Sequence, residues 1–289
     1  MEPELLYHFT SLDTFFNIIK NKEFRLYDIT KSNDPLEGTY VLKGLHESYE
    51  NMYREDRVDR SKWLFMHQAC FFFEEDLVHY GRSKDFCGAA SFCVPTHELA
   101  LLRSYGDNGR GVALGFPTSI LKSITSLPDV EFKKVQYLSK QDLLKECDSF
   151  WERILQKYYK TGTHFTEAMY TPIITEIKAF YRNGYFIKND INKDEEEYRL
   201  LVYKEDLFYP YLPGLGEKVD DNIDFYSGNG DLKAYYRVAL EESAEKGFCL
   251  TDVILGPQCK TTITEIAAFL RKYGFFQASI LHNTWAIMR

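Results

Sequence analysis

Residues 192–205 read NKDEEEYRLLVYKE. Three consecutive glutamates, Glu195, Glu196 and Glu197, run directly into an apolar segment with the composition of a strand. An acidic turn that keeps a sheet edge soluble accounts for most such runs. The alternative is carboxylate chemistry mounted on a rigid sheet. If the segment is extended, side chains alternate, so Glu195, Glu197 and Arg199 share one face while Glu196, Tyr198, Leu200 and Val202 share the other.

Outward from this segment, helix and strand patterns alternate without an internal repeat or a low-complexity linker. On the N-terminal side, ELLYHF reads as a strand. TSLDTFFNIIKN reads as a helix capped by Thr10 or Ser11, with Leu12, Phe15, Phe16 and Ile19 on one face. EFRLYDI alternates as a second strand, NDPLEG is a turn, and residues 36–73 are helical around an exposed charged run, YREDRVDRSK. FCGAASFCV is fit for a buried strand and HELALLRSY for a short helix. GDNGRG turns at Asn108 and Gly109, and VALGF and VEFKKVQYL are further strands. A helical block covers about residues 140–183, with DLLKECDSFWERILQKYY as its clearest amphipathic part. EYRLLVY, LKAYYRVAL and DVILGP follow as strands, then a helix over TITEIAAFLRKYG and a last strand in QASILHN. Strands at the start, middle and end of the chain are expected to share one sheet. The expectation is a single α+β domain over residues 1–289, with the helical block inserted and packed on one side.

Composition sets the class. The chain has 289 residues, 45% of them apolar, enough to bury a core without metal or disulfide staples. The formal charge of -8 and a pI near 5.5 argue against a broad polyanion-binding surface. The acidic start MEPELLYHFTS lacks the features of a secretory signal, and no segment runs long enough without charge to span a bilayer. A cytoplasmic location is expected. Six cysteines and seven histidines form no metal-ligand spacing, so reduced, mostly buried thiols are expected.

Four segments in order, LYHFTSLDTFFNIIKNKEFRLYDITKSNDPLEG, SFCV with LLRSYGDNGRGVALGF, EEEYRLLV and VILGP, resemble a mostly bacterial domain-of-unknown-function family, number 2971. The resemblance runs from Leu6 to about Pro257. It implies an ADP-ribosyltransferase-like fold: a split, mainly antiparallel central sheet holding NAD in a cleft, in proteins suspected of acting as toxins or phage-defence effectors.

The site residues follow from that resemblance. The transferase pattern asks for a His or Arg on the first strand, a hydroxyl or aromatic residue on a middle strand and a Glu at the start of a late strand. His8 matches the first and would fix the dinucleotide through its ribose, with Thr10 supporting the turn; a structural histidine explains the same residue. Glu197 matches the last, and a carboxylate there would stabilise an oxocarbenium-like ribose as the nicotinamide bond breaks. Glu195 could orient the acceptor or take its proton, and any of the three glutamates satisfies the register within one residue. Ser91 would be the supporting hydroxyl. Tyr105 would stack on nicotinamide or simply end a helix, and Arg103 and Arg110 are available for pyrophosphate. Arg199 either pairs with Glu197 or meets phosphate. Gly106, Gly109 and Gly111 follow a helix and precede a strand, the reverse of a dinucleotide fingerprint.

Three functions stay open on this reading. The first is an enzyme that transfers ADP-ribose from NAD to a protein or nucleic acid. The second is an NAD glycohydrolase, and the third is an inactive scaffold that binds a partner.

Overall fold

The computed structural model describes residues 2–31, 38–79, 82–83, 85–127, 129–160, 165–205, 220–228, 231–240 and 250–282. β1 (Leu5–Thr10) leads through α1 (Leu12–Asn21) to β2 (Glu23–Asp28). α2 (Tyr40–Arg54) and α3 (Arg60–Leu77) follow, then a small hairpin of β3 (Val78–His79) and β4 (Arg82–Ser83). β5 (Phe86–Cys93), α4 (Glu98–Ser104), β6 (Val112–Pro117), α5 (Thr118–Ser123), β7 (Val130–Lys134) and β8 (Gln136–Leu138) make up the middle. α6 (Lys140–Tyr158) and α7 (Glu167–Gly184) occupy the expected helical block. After β9 (Ile187–Asn189) and β10 (Glu197–Lys204) come β11 (Ile223–Gly228), β12 (Asp231–Ala239), β13 (Asp252–Leu255), α8 (Ile263–Lys272) and β14 (Ser279–His282). Most of the NDPLEG turn, residues 33–37, lies outside the described residues.

Local chemistry sets the helix ends. Ser11 caps α1 by accepting from the Thr14 amide, and Lys22 closes it in the left-handed region at φ 53°. Ser139 does the same for α6 through the Asp142 amide, and Thr262 with Glu265 forms a reciprocal capping box on α8. Leu143, Cys147, Phe150, Trp151 and Ile154 recur along α6 at helical spacing, so one stripe of that helix is buried.

Among the described residues ten strands form one open, mainly antiparallel sheet, in which only β13 and β14 pair in parallel. Apolar side chains cover both faces. On one, α1, α5 and α8 pack Ile18, Leu121 and Ile266 against Leu6, Phe92, Leu200 and Val238. On the other, α2, α3, α6 and α7 close over Cys87, Leu201 and Tyr203, while α4 puts Leu101 and Leu102 on Tyr7, Phe9, Ala113 and Ile254. The helical block therefore packs on one side. The α+β expectation and the mainly antiparallel sheet both hold.

β5 is the pivot of the sheet. One of its edges pairs along its whole length with β10. The other meets β2 at Gly88 and Ala89 and β1 at Cys93, so the sheet divides between those points. At the division the Ser91 carbonyl takes a bond from His8 Nδ1, 2.9 Å away, instead of a ladder partner.

VEFKKVQYL, read as one strand, is two. Val135 interrupts it, turning its amide onto the Glu197 carbonyl at 2.8 Å. Beyond it β8 leaves the main sheet and pairs in parallel with β9. That separate two-stranded piece brings β9 beside the start of β10.

Candidate active site

β10 begins at Glu197, not upstream of it. Asp190–Glu195 is a short 3-10 helix, and Glu196 sits in the left-handed region at φ 43° and ψ 46°. This reversal sends three successive glutamate side chains toward one neighbouring stretch, residues 91–105. Ser91 Oγ donates to Glu197 at 2.5 Å, Thr96 Oγ1 to Glu196 at 2.7 Å, and the Tyr105 hydroxyl to Glu195 at 2.5 Å. The acidic run is thus paired, residue by residue, with three hydroxyls.

Ladder register fixes which residues meet. Glu197 lies directly opposite Cys93, and Arg199 opposite Ser91. Directly opposed residues share a face, so Ser91, Cys93, Glu197 and Arg199 look the same way, between α4 and the helical block. The alternation expected of β10 holds from Glu197 onward, with Tyr198, Leu200 and Val202 in the opposite core.

Glu197 is 1% exposed and saturated. One oxygen receives Ser91 Oγ and, at 2.9 Å, Arg199 Nε; the other receives Lys188 Nζ at 2.7 Å and Arg199 Nη2 at 3.2 Å. An ionised carboxylate offers about four lone-pair positions, and these four contacts use them. The Glu197 amide also donates to the Tyr137 hydroxyl at 3.0 Å. Burial alone would push the Glu197 carboxyl up, but the charges and hydrogen bonds of Arg199 and Lys188 win and hold it at about 2. It is ionised at neutral pH. Lys188, itself 7% exposed, bridges to Glu195 at 2.9 Å, so one ammonium ties the two carboxylates together. Arg199 also donates to the Tyr185 carbonyl, anchoring β10 to the end of α7.

The structure assembles Ser91, Tyr105, Glu195, Glu197 and Arg199 from the expected residues. Of the two readings of Arg199, pairing with Glu197 is the one observed. Tyr105 ends α4, ahead of a turn in which Asp107, Asn108 and Gly109 all have positive φ.

Other expected residues fall elsewhere. His8 and Glu197 were expected to face one cleft from neighbouring strands; instead β5 lies between their strands and they point to opposite faces. The reason is register: Tyr7, not His8, aligns with Cys93 and so shares the face of Glu197. His8 lies half-buried among Phe24 and Phe92 on the other side, where burial lowers its pKa. Thr10 is on that same face and 6% exposed. Arg110 is exposed and pairs with Asp107 at 2.7 Å, and Arg103 is exposed on α4, so neither guanidinium is seen to join the glutamates.

Lys188 and Tyr137 are members that the sequence reading missed. Both come from the β8–β9 pair, and no local spacing relates a lysine at 188 to a carboxylate nine positions on. Among the described residues no group of three or more His, Cys, Asp or Glu side chains is placed to hold a metal ion, and no helix is long and apolar enough to cross a membrane.

Most of this cluster lies in one continuous part of the chain. Residues 101–200 match the model of a protein family of unknown function, DUF2971. The matched segment is shorter than the Leu6–Pro257 span of the resemblance, but it holds Tyr105, Tyr137, Lys188, Glu195, Glu197 and Arg199. Ser91 and His8 precede it. No curated protein and no solved structure matches the chain.

Proposed function

We propose that this polar seam serves an NAD-consuming enzyme that cleaves the bond between nicotinamide and ribose and transfers ADP-ribose to a macromolecule. One observation carries the reading: an exposed middle-strand hydroxyl, Ser91, donates at 2.5 Å into an ionised glutamate at the start of a late strand. An oxocarbenium-like ribose gains from a carboxylate that stays charged at working pH, and the environment of Glu197 keeps it so. With every lone-pair position of Glu197 in use, the exposed Ser91 Oγ is the group that meets a substrate hydroxyl, and Glu197 holds it polarised. Glu195 stands beside it at the E-x-E spacing, held by Tyr105 and Lys188. His8 plays no part in this reading. Water as the acceptor in place of a macromolecule would make the same seam a glycohydrolase.

A second reading rests on the burial and saturation of Glu197. In it the ion-pair group only ties β10 to β5 and β9, and the protein is a binding scaffold.

Labelled NAD incubated with the purified protein and a cell extract separates these readings. Label on protein or nucleic acid supports transfer, and free ADP-ribose with nicotinamide supports hydrolysis. Turnover that falls about a hundredfold in Ser91→Ala and Glu197→Gln but not in Glu196→Gln ties it to the seam. No turnover in the wild type leaves the scaffold.

A further inference from the structure

Glu195 and Glu196 are each held by a hydroxyl from the connection between β5 and β6. Thr96 and Tyr105 reach across from that connection to the turn before β10, at 2.7 and 2.5 Å. The two bonds lie at opposite ends of α4 and flank the start of β10. Next to them Glu197 is 1% exposed and its ladder partner Cys93 5%, while Tyr105 is 46% exposed. Tyr105, an exposed member of the group, bridges to the half-buried Glu195.

We propose that Tyr105 and Thr96 form a clasp that closes the Glu195 side of the seam, and that Tyr105 is the gating residue on that side. As a statement about access to a catalytic carboxylate this rests on the NAD-consuming reading above, but the clasp itself is tested without NAD.

The geometry says what moves. α4 is pinned by Leu101 and Leu102, which are 3% and 0% exposed. The turn after Tyr105 is tied back on itself by the Gly109 and Gly111 amides, both bonded to the Gly106 carbonyl at 3.0 and 2.8 Å. A Cβ on Gly106 would stand 2.7 Å from the Leu102 carbonyl, so this backbone has no slack. Opening is accordingly a swing of the Tyr105 ring rather than a loop excursion. On the other side, Lys188 keeps hold of Glu195 when the phenol leaves, so the carboxylate is not orphaned. The clasp breaks at a hydrogen bond between an exposed phenol and a carboxylate that retains another partner, which makes it cheap to open. A charge-assisted hydrogen bond of this kind is worth about tenfold in an equilibrium.

Tyr105→Phe removes the hydroxyl and keeps the ring, and Thr96→Val removes the second tie. Hydroxyl-radical footprinting with mass spectrometry reads the exposure of Cys93, which lies opposite Glu197 in the ladder. The expected result is a several-fold rise in Cys93 oxidation in Tyr105→Phe, larger in the double variant, with Cys70 and Cys147 at wild-type levels. Wild-type oxidation of Cys93 in both variants overturns the clasp, as does a rise matched across the buried cysteines Cys70 and Cys147, which reports general loosening. With NAD as substrate, the KM of Tyr105→Phe should fall by about tenfold, because a larger open fraction raises apparent affinity in proportion. A raised KM overturns the gating role. Absence of NAD turnover in the wild type counts against the enzymatic reading alone, since the footprinting result stands apart from it.

Discussion

Glu197→Gln tests whether the buried ion pairs do what their geometry says. The substitution keeps the volume and removes the charge that neutralises Arg199 and Lys188, both nearly inaccessible. The carboxyl is held at about 2, against 4.5 ordinarily. One pH unit corresponds to about 1.4 kcal/mol, so the ionised form contributes about 3 kcal/mol of folding stability. Removing one partner of a buried pair costs about 3–5 kcal/mol elsewhere, which agrees. The sign follows from the lowered value: the contribution is complete above pH 4.5 and is lost as pH falls toward 2. Urea unfolding should place the variant about 3 kcal/mol below the wild type at pH 7, with the gap closing on acidification below 4.5. A gap under about 0.5 kcal/mol at pH 7, or one that stays constant down to pH 3, would refute the reasoning. Because stability and the proposed turnover would both depend on this residue, activity loss in Glu197→Gln is interpretable only beside Ser91→Ala, which leaves Arg199 and Lys188 on the carboxylate.

Three further outcomes are expected. Glu196→Gly relieves a left-handed backbone at φ 43° that L-residues adopt at a cost of about 1 kcal/mol, against one lost exposed contact with Thr96, so its melting temperature should rise, and a fall would contradict the strain argument. Gly184→Ala places a Cβ 2.6 Å from Val41 Cγ2 in a buried contact, which should cost about 1–3 kcal/mol by urea titration; adding Val41→Ala should recover part of that, and strictly additive losses would show that the clash is not the cause. His8, with its pKa lowered by burial, binds its proton more readily in the unfolded chain, so wild-type stability should decline as pH drops below about 6.5; His8→Gln, which keeps a donor for the Ser91 carbonyl, should flatten that decline, and an unchanged slope from pH 7.5 to 5 would locate it in other groups.

Much of the fold was legible because its signals are local. Caps such as Ser11, Ser139 and Thr262, and apolar stripes such as Leu143 to Ile154, lie within a turn or two of what they determine. Pairing order was harder: VEFKKVQYL alternates throughout, and nothing within it announces that Val135 turns away to the Glu197 carbonyl. At the site, Glu197, Arg199 and Ser91 were recoverable because a two-residue period assigns the faces once a strand start is known. The same period misled at His8. Its position along the first strand was right for the transferase pattern, but its face depends on whether residue 7 or 8 stands opposite Cys93, which is a property of the β1–β5 register and not of either strand. Lys188 was invisible for a related reason, arriving on β9 through a parallel pair with β8 some fifty residues earlier in the chain.

The pairing of β5 with β10 also governs when a site can exist during synthesis. Ser91 and Glu197 are 106 positions apart, and the intervening chain includes the whole helical block. Contacts so distant in sequence form only after the loop between them has been shortened by its own folding. As the ribosome delivers the chain, α6 and α7 can collapse onto α2 and α3 before β10 has emerged. Ser91 by then has its strand but no carboxylate. A nascent chain therefore cannot assemble this seam until β10, about two-thirds of the way along the 289 residues, has left the exit tunnel, and under the NAD-consuming proposal the protein would stay harmless until then to the machinery still making it.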